Sequence, residues 1–359
     1  MNKDVNLNSL NPSYRIAADV GGTFTDIALI DENGSVSTKK VLSTPDDYSI
    51  AVVDGIAQLM DEIGVSLKNV SEVLHGTTVA TNAILERRGA RTALITTKGL
   101  RDVLELRRIR MPRLYDPLYV KPEPLVRREH RFEVNERIDG KGNVVTPVDL
   151  DDVMRIVEKI RESGIEAVAV TFLHSYLNGD HEKSVGEVLR RELPHCFITL
   201  SIEILPEIRE YERTSTTVIN AYLGPPVKSY LESLGKRLQG KGMNSRLMMM
   251  QSSGGMLDAE TVQEKPAQIV ECGPAAGVIG GAYLGQQIGC KNLITFDMGG
   301  TTAKASLIEN GQLFRTDEYE VGGGISLSSR LVKGGGYALR IPVIDIGEVG
   351  AGGGSVVWF

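Results

Sequence analysis

The chain has 359 residues, 42% of them apolar and 24% charged, with a formal net charge of −6 at pH 7. That length suits two or three domains with cores of their own, and the mild acidity excludes a broad electrostatic attraction to nucleic acid or to an anionic membrane. Cys196, Cys272 and Cys290 form no CxxC or zinc spacing, and no stretch reaches the ~18–20 apolar residues of a membrane span, which predicts a cytoplasmic protein with reduced thiols.

Residues 1–14 read as a disordered lead. RIAADVGGTFTDIALIDENG (15–34) then places two apolar strands around a glycine turn, and SVSTKKVLST adds a third strand. Pro45 and Asp46 open a helix whose apolar residues recur near every 3.6 positions. Strands VSEVLHG, TALITT and EAVAVTFL alternate with helices such as DLDDVMRIVEKIRESG, which argues an α/β protein with a mixed sheet. Residues 135–147 read as a hairpin or linker. A long helix is expected over roughly 207–238, followed by strand RLMMMQSSG and a tightly packed small-residue helix opening at Gly273-Pro274. Eleven glycines between Gly322 and Gly354 argue loops near a ligand or another backbone. The last residues, GGGSVVWF, leave a strand little room to pair. They predict a truncation, with a short closing edge strand as the alternative.

The first glycine turn occurs twice. Asp19-Val20-Gly21-Gly22-Thr23 recurs as Asp297-Met298-Gly299-Gly300-Thr301, each copy between two apolar strands that turn again at Asn-Gly. Adjacent glycines let backbone N–H groups approach an anion, and successive N–H groups in a tight turn form a concave anion site. Thr23, Thr301 and Thr302 add hydroxyl donors. A carboxylate beside phosphates needs a cation between them, and Mg²⁺ commonly uses one or two carboxylates plus phosphate oxygens. Two such hairpins therefore predict a two-sided clamp for the phosphate tail of a Mg²⁺–nucleotide.

The paired hairpins resemble the phosphate loops of the actin/hexokinase/Hsp70-like ATPase fold. More particularly, DVGGTFTDIALID, LHGTTVATNAILERRGARTALITTKGLRDVLELRR, LPEIREYERTSTTVINAYLGPPVKSYL, MQSSGGML, CGPAAGVIGGAYLG, FDMGGTTAK and VGAGGGS together resemble the hydantoinase A / 5-oxoprolinase family. The resemblance runs from about Arg15 to the last residue. It implies an N-terminal-type domain with the first hairpin over 15–205 and the start of a main domain with the second hairpin over 206–359, incomplete. It also implies ATP and Mg²⁺ as cofactors and ring opening of a small cyclic amide such as hydantoin, N-methylhydantoin or 5-oxoproline. A hydantoinase B-type subunit is the implied partner, in an oligomer. Ketone carboxylation, or an actin-like nucleotide-binding module without turnover, is the alternative. The chain departs from the family at Gly347, where histidine is frequent, and at Cys272, where serine is frequent.

On this reading Asp19 and Asp297 organise Mg²⁺, with Asp297 orienting the attacking group. Gly21, Gly22, Thr23, Thr25, Gly299, Gly300, Thr301 and Thr302 hold phosphates. His75, Thr77, Thr78 and Asn82, at a strand end and a helix start, suit an anion or amide carbonyl at the cleft, with His75 catalytic. Arg213, in the polar run 210–215, and Ser252 and Ser253, at a glycine-bearing strand end, are further substrate candidates. His174, His181 and His195 have no zinc-site spacing.

Overall fold

The computed structural model describes residues 14–108, 115–300, 302–322, 325–326 (backbone alone), 335–349 and 351–356. Thr301, the lead before Tyr14 and the final three residues therefore lie outside the described residues. Strand β1 (Tyr14–Val20), β2 (Phe24–Ile30) and β3 (Val36–Leu42) form the expected antiparallel meander. On the other side of β1, β4 (Val70–Thr77) pairs parallel, and beyond it lie β11 (Arg246–Met250) and β12 (Met256–Asp258). This six-stranded mixed sheet thus takes strands from both sides of the 205/206 boundary drawn on the sequence.

Between β4 and β11 the chain builds a second sheet. Strands β5 (Thr92–Thr97), β6 (Arg131–Val134), β9 (Ala167–Thr171) and β10 (Phe197–Leu200) run parallel in the order β10-β9-β5-β6. Every residue of β5 and β9 is buried, as in a sheet covered on both faces. The predicted hairpin near 135–147 is present as β7 (Arg137–Ile138) and β8 (Val144–Thr146).

Helix Tyr48–Glu62 starts one residue after Asp47, whose carboxylate accepts from the Ser49 N–H and satisfies one of the orphan donors of the first turn. Ile16, Ala18 and Val20 alternate into the core beneath β1, where they pack with this helix and with the long helix Glu210–Gly240. The long helix joins the two sheets. Near its start Arg213 reaches the Phe172 carbonyl after β9, and further along Tyr230 reaches β4.

The second hairpin, β13 (Leu293–Met298) and β14 (Ala303–Glu309), leads a third sheet that includes Gly347–Val349. The helix Cys272–Gln287 lies behind it. Ala275 and Val278 of that helix share a small core with Ile308, Ile344 and Ile346. The glycine-rich end meets another backbone, one of the two expected outcomes. Gly353 N–H donates to the Gly299 carbonyl and Gly354 N–H to the Gly300 carbonyl, both at 2.9 Å. A Cβ on Gly354 would stand 3.0 Å from the Gly300 oxygen, so the contact favours glycine there.

Candidate functional site

The two hairpins are built alike. In the first, Gly21 N–H donates to the Phe24 carbonyl at 3.0 Å; in the second, Gly299 N–H donates to the Thr302 carbonyl at 3.0 Å. Both turns carry the carboxylate at the next-to-last residue of the incoming strand. In the β-ladders Asp19 pairs with Asp26, and Asp297 pairs with Lys304. The repeat seen in the sequence is therefore a repeat of backbone geometry, and it leaves the N–H groups of the tips outside the ladders.

The hairpins lie near enough for their carboxylates to act on one another. Asp19 is open to solvent on one side, yet burial, followed by repulsion from Asp26 and Asp297, pushes its carboxyl above the usual carboxylate range. Lys40, bonded to Asp26, offsets part of this. Asp297 is exposed. Two carboxylates that repel one another across a gap are a fit for a cation, because a positive charge between them relieves the repulsion. No group of three or more acidic, histidine or cysteine side chains among the described residues could cage a metal. A cation at Asp19 and Asp297 would draw its remaining ligands from phosphate and water.

Asp19 has room because of what opposes it. It pairs with Gly76 in the ladder, and a Cβ on Gly76 would stand 2.9 Å from its Oδ1. Gly273, at the start of the helix Cys272–Gln287, would place a Cβ 3.4 Å from the same atom. Strand end, hairpin and helix N-terminus thus converge on one carboxylate.

Around the first tip, Ser43 closes the hairpin. Its hydroxyl donates to the Gly21 carbonyl at 2.8 Å and its N–H to the Thr23 carbonyl at 2.9 Å. Thr25, expected at the phosphates, is fully buried with its hydroxyl 2.9 Å from that of Ser43. It braces the tip from behind, because position 25 points to the core face of β2. Gly22 and Thr23 are exposed at the tip, as are Gly299 and Gly300 at the second, with Thr302 half-buried beside it.

Next to the second tip lies an ion-pair cluster not anticipated from the sequence. Lys304 Nζ is 2.7 Å from Glu271 and 3.6 Å from Glu348. Burial works against the Lys304 charge, but the two carboxylates outweigh it and hold its pKa above the ordinary value. Burial, then Glu271, raises Glu348, while Lys304 opposes. Glu271 adopts a left-handed conformation with φ of 63°, and its N–H donates to Thr81 at 3.0 Å. It therefore links the helix following β4 to the second hairpin. The signal for Lys304 was its place seven residues after Asp297, which this turn puts directly across the ladder.

Several expected contacts lie elsewhere. His75 is 1% exposed and faces away from Asp19, since neighbouring strand positions point to opposite sides. Its Nδ1 is 2.9 Å from the Ala18 carbonyl and its Nε2 is 2.6 Å from the Tyr230 hydroxyl. Burial lowers its pKa to about 4, the Ala18 bond opposing, so the ring is neutral at pH 7. Nδ1–H then donates to Ala18, and Nε2 accepts from Tyr230. Thr77 is also buried, its N–H donating to Cys272 Sγ at 3.3 Å. Cys272 returns a bond to the Thr77 carbonyl, and burial pushes its thiol up to about 12.

Thr78 sits nearer the tip. Its hydroxyl donates to the Val20 carbonyl at 3.3 Å, and Asn82 donates to that hydroxyl at 3.3 Å. Arg213 is 1% exposed and donates to Ser175 and to the Phe172 carbonyl, both at 2.7 Å. It is an internal strut of the parallel sheet, because the start of the long helix is buried there. Ser252 is 2% exposed and donates to the Gln268 carbonyl at 2.7 Å, fastening a loop. Ser253 is half-buried, with Gln251 Oε1 at 3.5 Å.

Comparison with known proteins agrees with this architecture. Residues 15–193 match the hydantoinase/oxoprolinase N-terminal region, and residues 213–359 match the hydantoinase/oxoprolinase domain. An uncharacterized protein of Methanocaldococcus jannaschii is 44% identical over 349 residues, which cover 96% of this chain and 51% of that protein. The caprolactamase subunit alpha of Pseudomonas jessenii is 34% identical over 349 residues, 96% of this chain and 48% of that one. The crystal structure of the ATP-dependent caprolactamase superposes with a TM-score of 0.81 at 33% identity, over 96% of this chain and 49% of the other. A nucleotide-free acetone carboxylase structure reaches 0.83 at 24% identity over 95% and 48%, a likeness of fold alone. The chain spans about half the length of the curated relatives it matches. The fold is that of the actin/hexokinase-like ATPases.

Proposed function

This chain belongs to the hydantoinase/oxoprolinase family, and on that premise we propose that it handles the ATP phosphates of an enzyme that opens a cyclic amide such as hydantoin, N-methylhydantoin or 5-oxoproline. A hydantoinase B-type subunit acts with it. The observation that carries the reading is the pair of like-built hairpins with Asp19 and Asp297 set against one another.

A cyclic amide is a poor electrophile. Transfer of a phosphoryl group to its oxygen makes the carbon open to water, and the protein's part in that transfer is positioning and charge stabilisation. The tip N–H groups of Gly22, Thr23 and Gly300, which the hairpin-closing bonds of Gly21 and Gly299 leave free, donate to phosphate oxygens. Asp19 and Asp297 hold Mg²⁺, which when bound neutralises phosphate charge. Asp297, which lies opposite Lys304 in the ladder, orients the attacking group. Lys304, held by Glu271 and Glu348, keeps a positive charge beside the second tip.

The test is ADP release from Mg·ATP by the complete enzyme, this chain with its B-type subunit, offered hydantoin, N-methylhydantoin, 5-oxoproline or caprolactam. Stimulation by one cyclic amide, abolished in Asp297→Ala with the fold intact, is the expected result. Full turnover in that variant overturns the assignment. Stimulation only by a ketone with bicarbonate replaces ring opening with carboxylation.

A further inference from the structure

A cleft of about 600 Å³ opens at the N-terminal edge of the parallel sheet and shares no lining residue with the hairpins. Three basic side chains, Arg91, Arg127 and His130, meet there. Arg91 and Arg127 are exposed, while His130 is buried. Arg91 has no carboxylate within 4 Å of its guanidinium among the described residues; the nearby Glu166 is bonded to its backbone N–H instead, at 3.0 Å. Among the described residues Arg127 has only Glu129 as an ion-pair partner, at 3.9 Å. Arg87, also in the wall, is by contrast engaged, with Glu123 at 3.0 Å and the Tyr337 hydroxyl at 2.7 Å.

His130 is the second, independent sign. It is 8% exposed, lines the cleft, and its ring has no hydrogen-bond partner among the described residues; Glu129 Oε1 is 3.8 Å from Nε2. Its ring nitrogens keep contact with solvent although the residue is largely buried, so they stand free to bond a ligand in the cleft. Burial, then the positive field of Arg91, with Arg127 adding and Glu129 opposing, keeps its pKa below the ordinary value. An anion in the cleft reverses that field.

We propose that this cleft binds a small organophosphate, with Arg91, Arg127 and His130 holding its phosphoryl group. Three donors, Arg91 ahead of β5 and Arg127 and His130 from one turn, match the several oxygens of a phosphoryl group better than the two coplanar oxygens of a carboxylate. The volume exceeds that of inorganic phosphate, and Pro124, Leu125 and Tyr222 offer the remainder an apolar wall.

The test is a proton NMR titration of His130 in the full chain, at constant ionic strength, with phenyl phosphate, inorganic phosphate or succinate. His130→Gln assigns the resonance. Phenyl phosphate is expected to raise the His130 pKa by at least half a unit in a saturable way. Its affinity falls tenfold or more in Arg91→Met and in Arg127→Met, with thermal melts confirming that each variant is folded. Arg88→Met, outside the cleft, leaves it unchanged. Asp297→Ala also leaves it unchanged, so failure here and failure of the catalytic reading are separable. No saturable change, an equal response to succinate, or full affinity in both arginine variants overturns the proposal.

Discussion

Replacing His75 with glutamine separates a catalytic role from a structural one. The folded protein holds this imidazole neutral, with a pKa of about 4 against an ordinary value of 6.5. Between those two values the unfolded chain binds a proton that the folded chain does not. Stability must therefore fall as pH drops through that window, and the contribution is fully present above it. At about 1.4 kcal/mol per pH unit the gap corresponds to about 3 kcal/mol, lost by about pH 4. The assay is urea unfolding of the wild type and of His75→Gln at several values between pH 7 and pH 4. The wild type is expected to lose this increment and the variant to lack it. At pH 7 the variant is less stable by ~1–3 kcal/mol, because the buried Tyr230 hydroxyl loses its partner's geometry. The complete enzyme carrying the variant retains turnover where it is folded. Parallel pH profiles, or lost turnover with unchanged stability, would refute the reasoning.

Three further outcomes follow from the same geometry. Asp19 is raised first by burial and then by Asp26 and Asp297, so its ionised form is disfavoured by folding and the penalty is full above its folded pKa. Asp19→Asn should melt at a higher temperature than the wild type at pH 7 without nucleotide, with the difference shrinking as pH falls into the carboxylate range, while turnover is lost. Cys272 is buried with its thiol pushed up to about 12, whereas Cys290 is exposed. Iodoacetamide should therefore label Cys290 in the native protein and reach Cys272 only after unfolding, as read by peptide mass mapping. Arg213 is buried near Glu182, itself fully buried and bonded to the Phe172 and Ile202 N–H groups. Arg213→Ala leaves that acid without its compensating charge and should cost ~3–5 kcal/mol in urea unfolding. The cost should shrink in Glu182→Gln/Arg213→Ala if the charge imbalance is its source.

Much of the molecule could be read before folding was considered. The Asp-x-Gly-Gly-Thr repeat announced two hairpins because glycine pairs between apolar strands have few other uses, and both tips take the same backbone form. The β-rich runs that become β5 and β9 and the helix that opens after Pro45 and Asp46 were likewise local consequences of residue order. What only the tertiary structure decided is which polar side chains reach the site. His75, Thr77, Arg213 and Ser252 look functional as text, yet each is turned into the core, and there each satisfies backbone or side-chain groups that folding removes from water. Whether a residue faces a cleft or a core depends on strand register and on what packs behind it. Gly76 shows this best: its meaning is the space it leaves for Asp19, two strands that meet only in the folded sheet. The same holds for Glu271 and Lys304, which lie 33 residues apart in the chain and 2.7 Å apart in space. Sequence order sets which local turns can form; burial and long-range pairing set which charges end up facing one another.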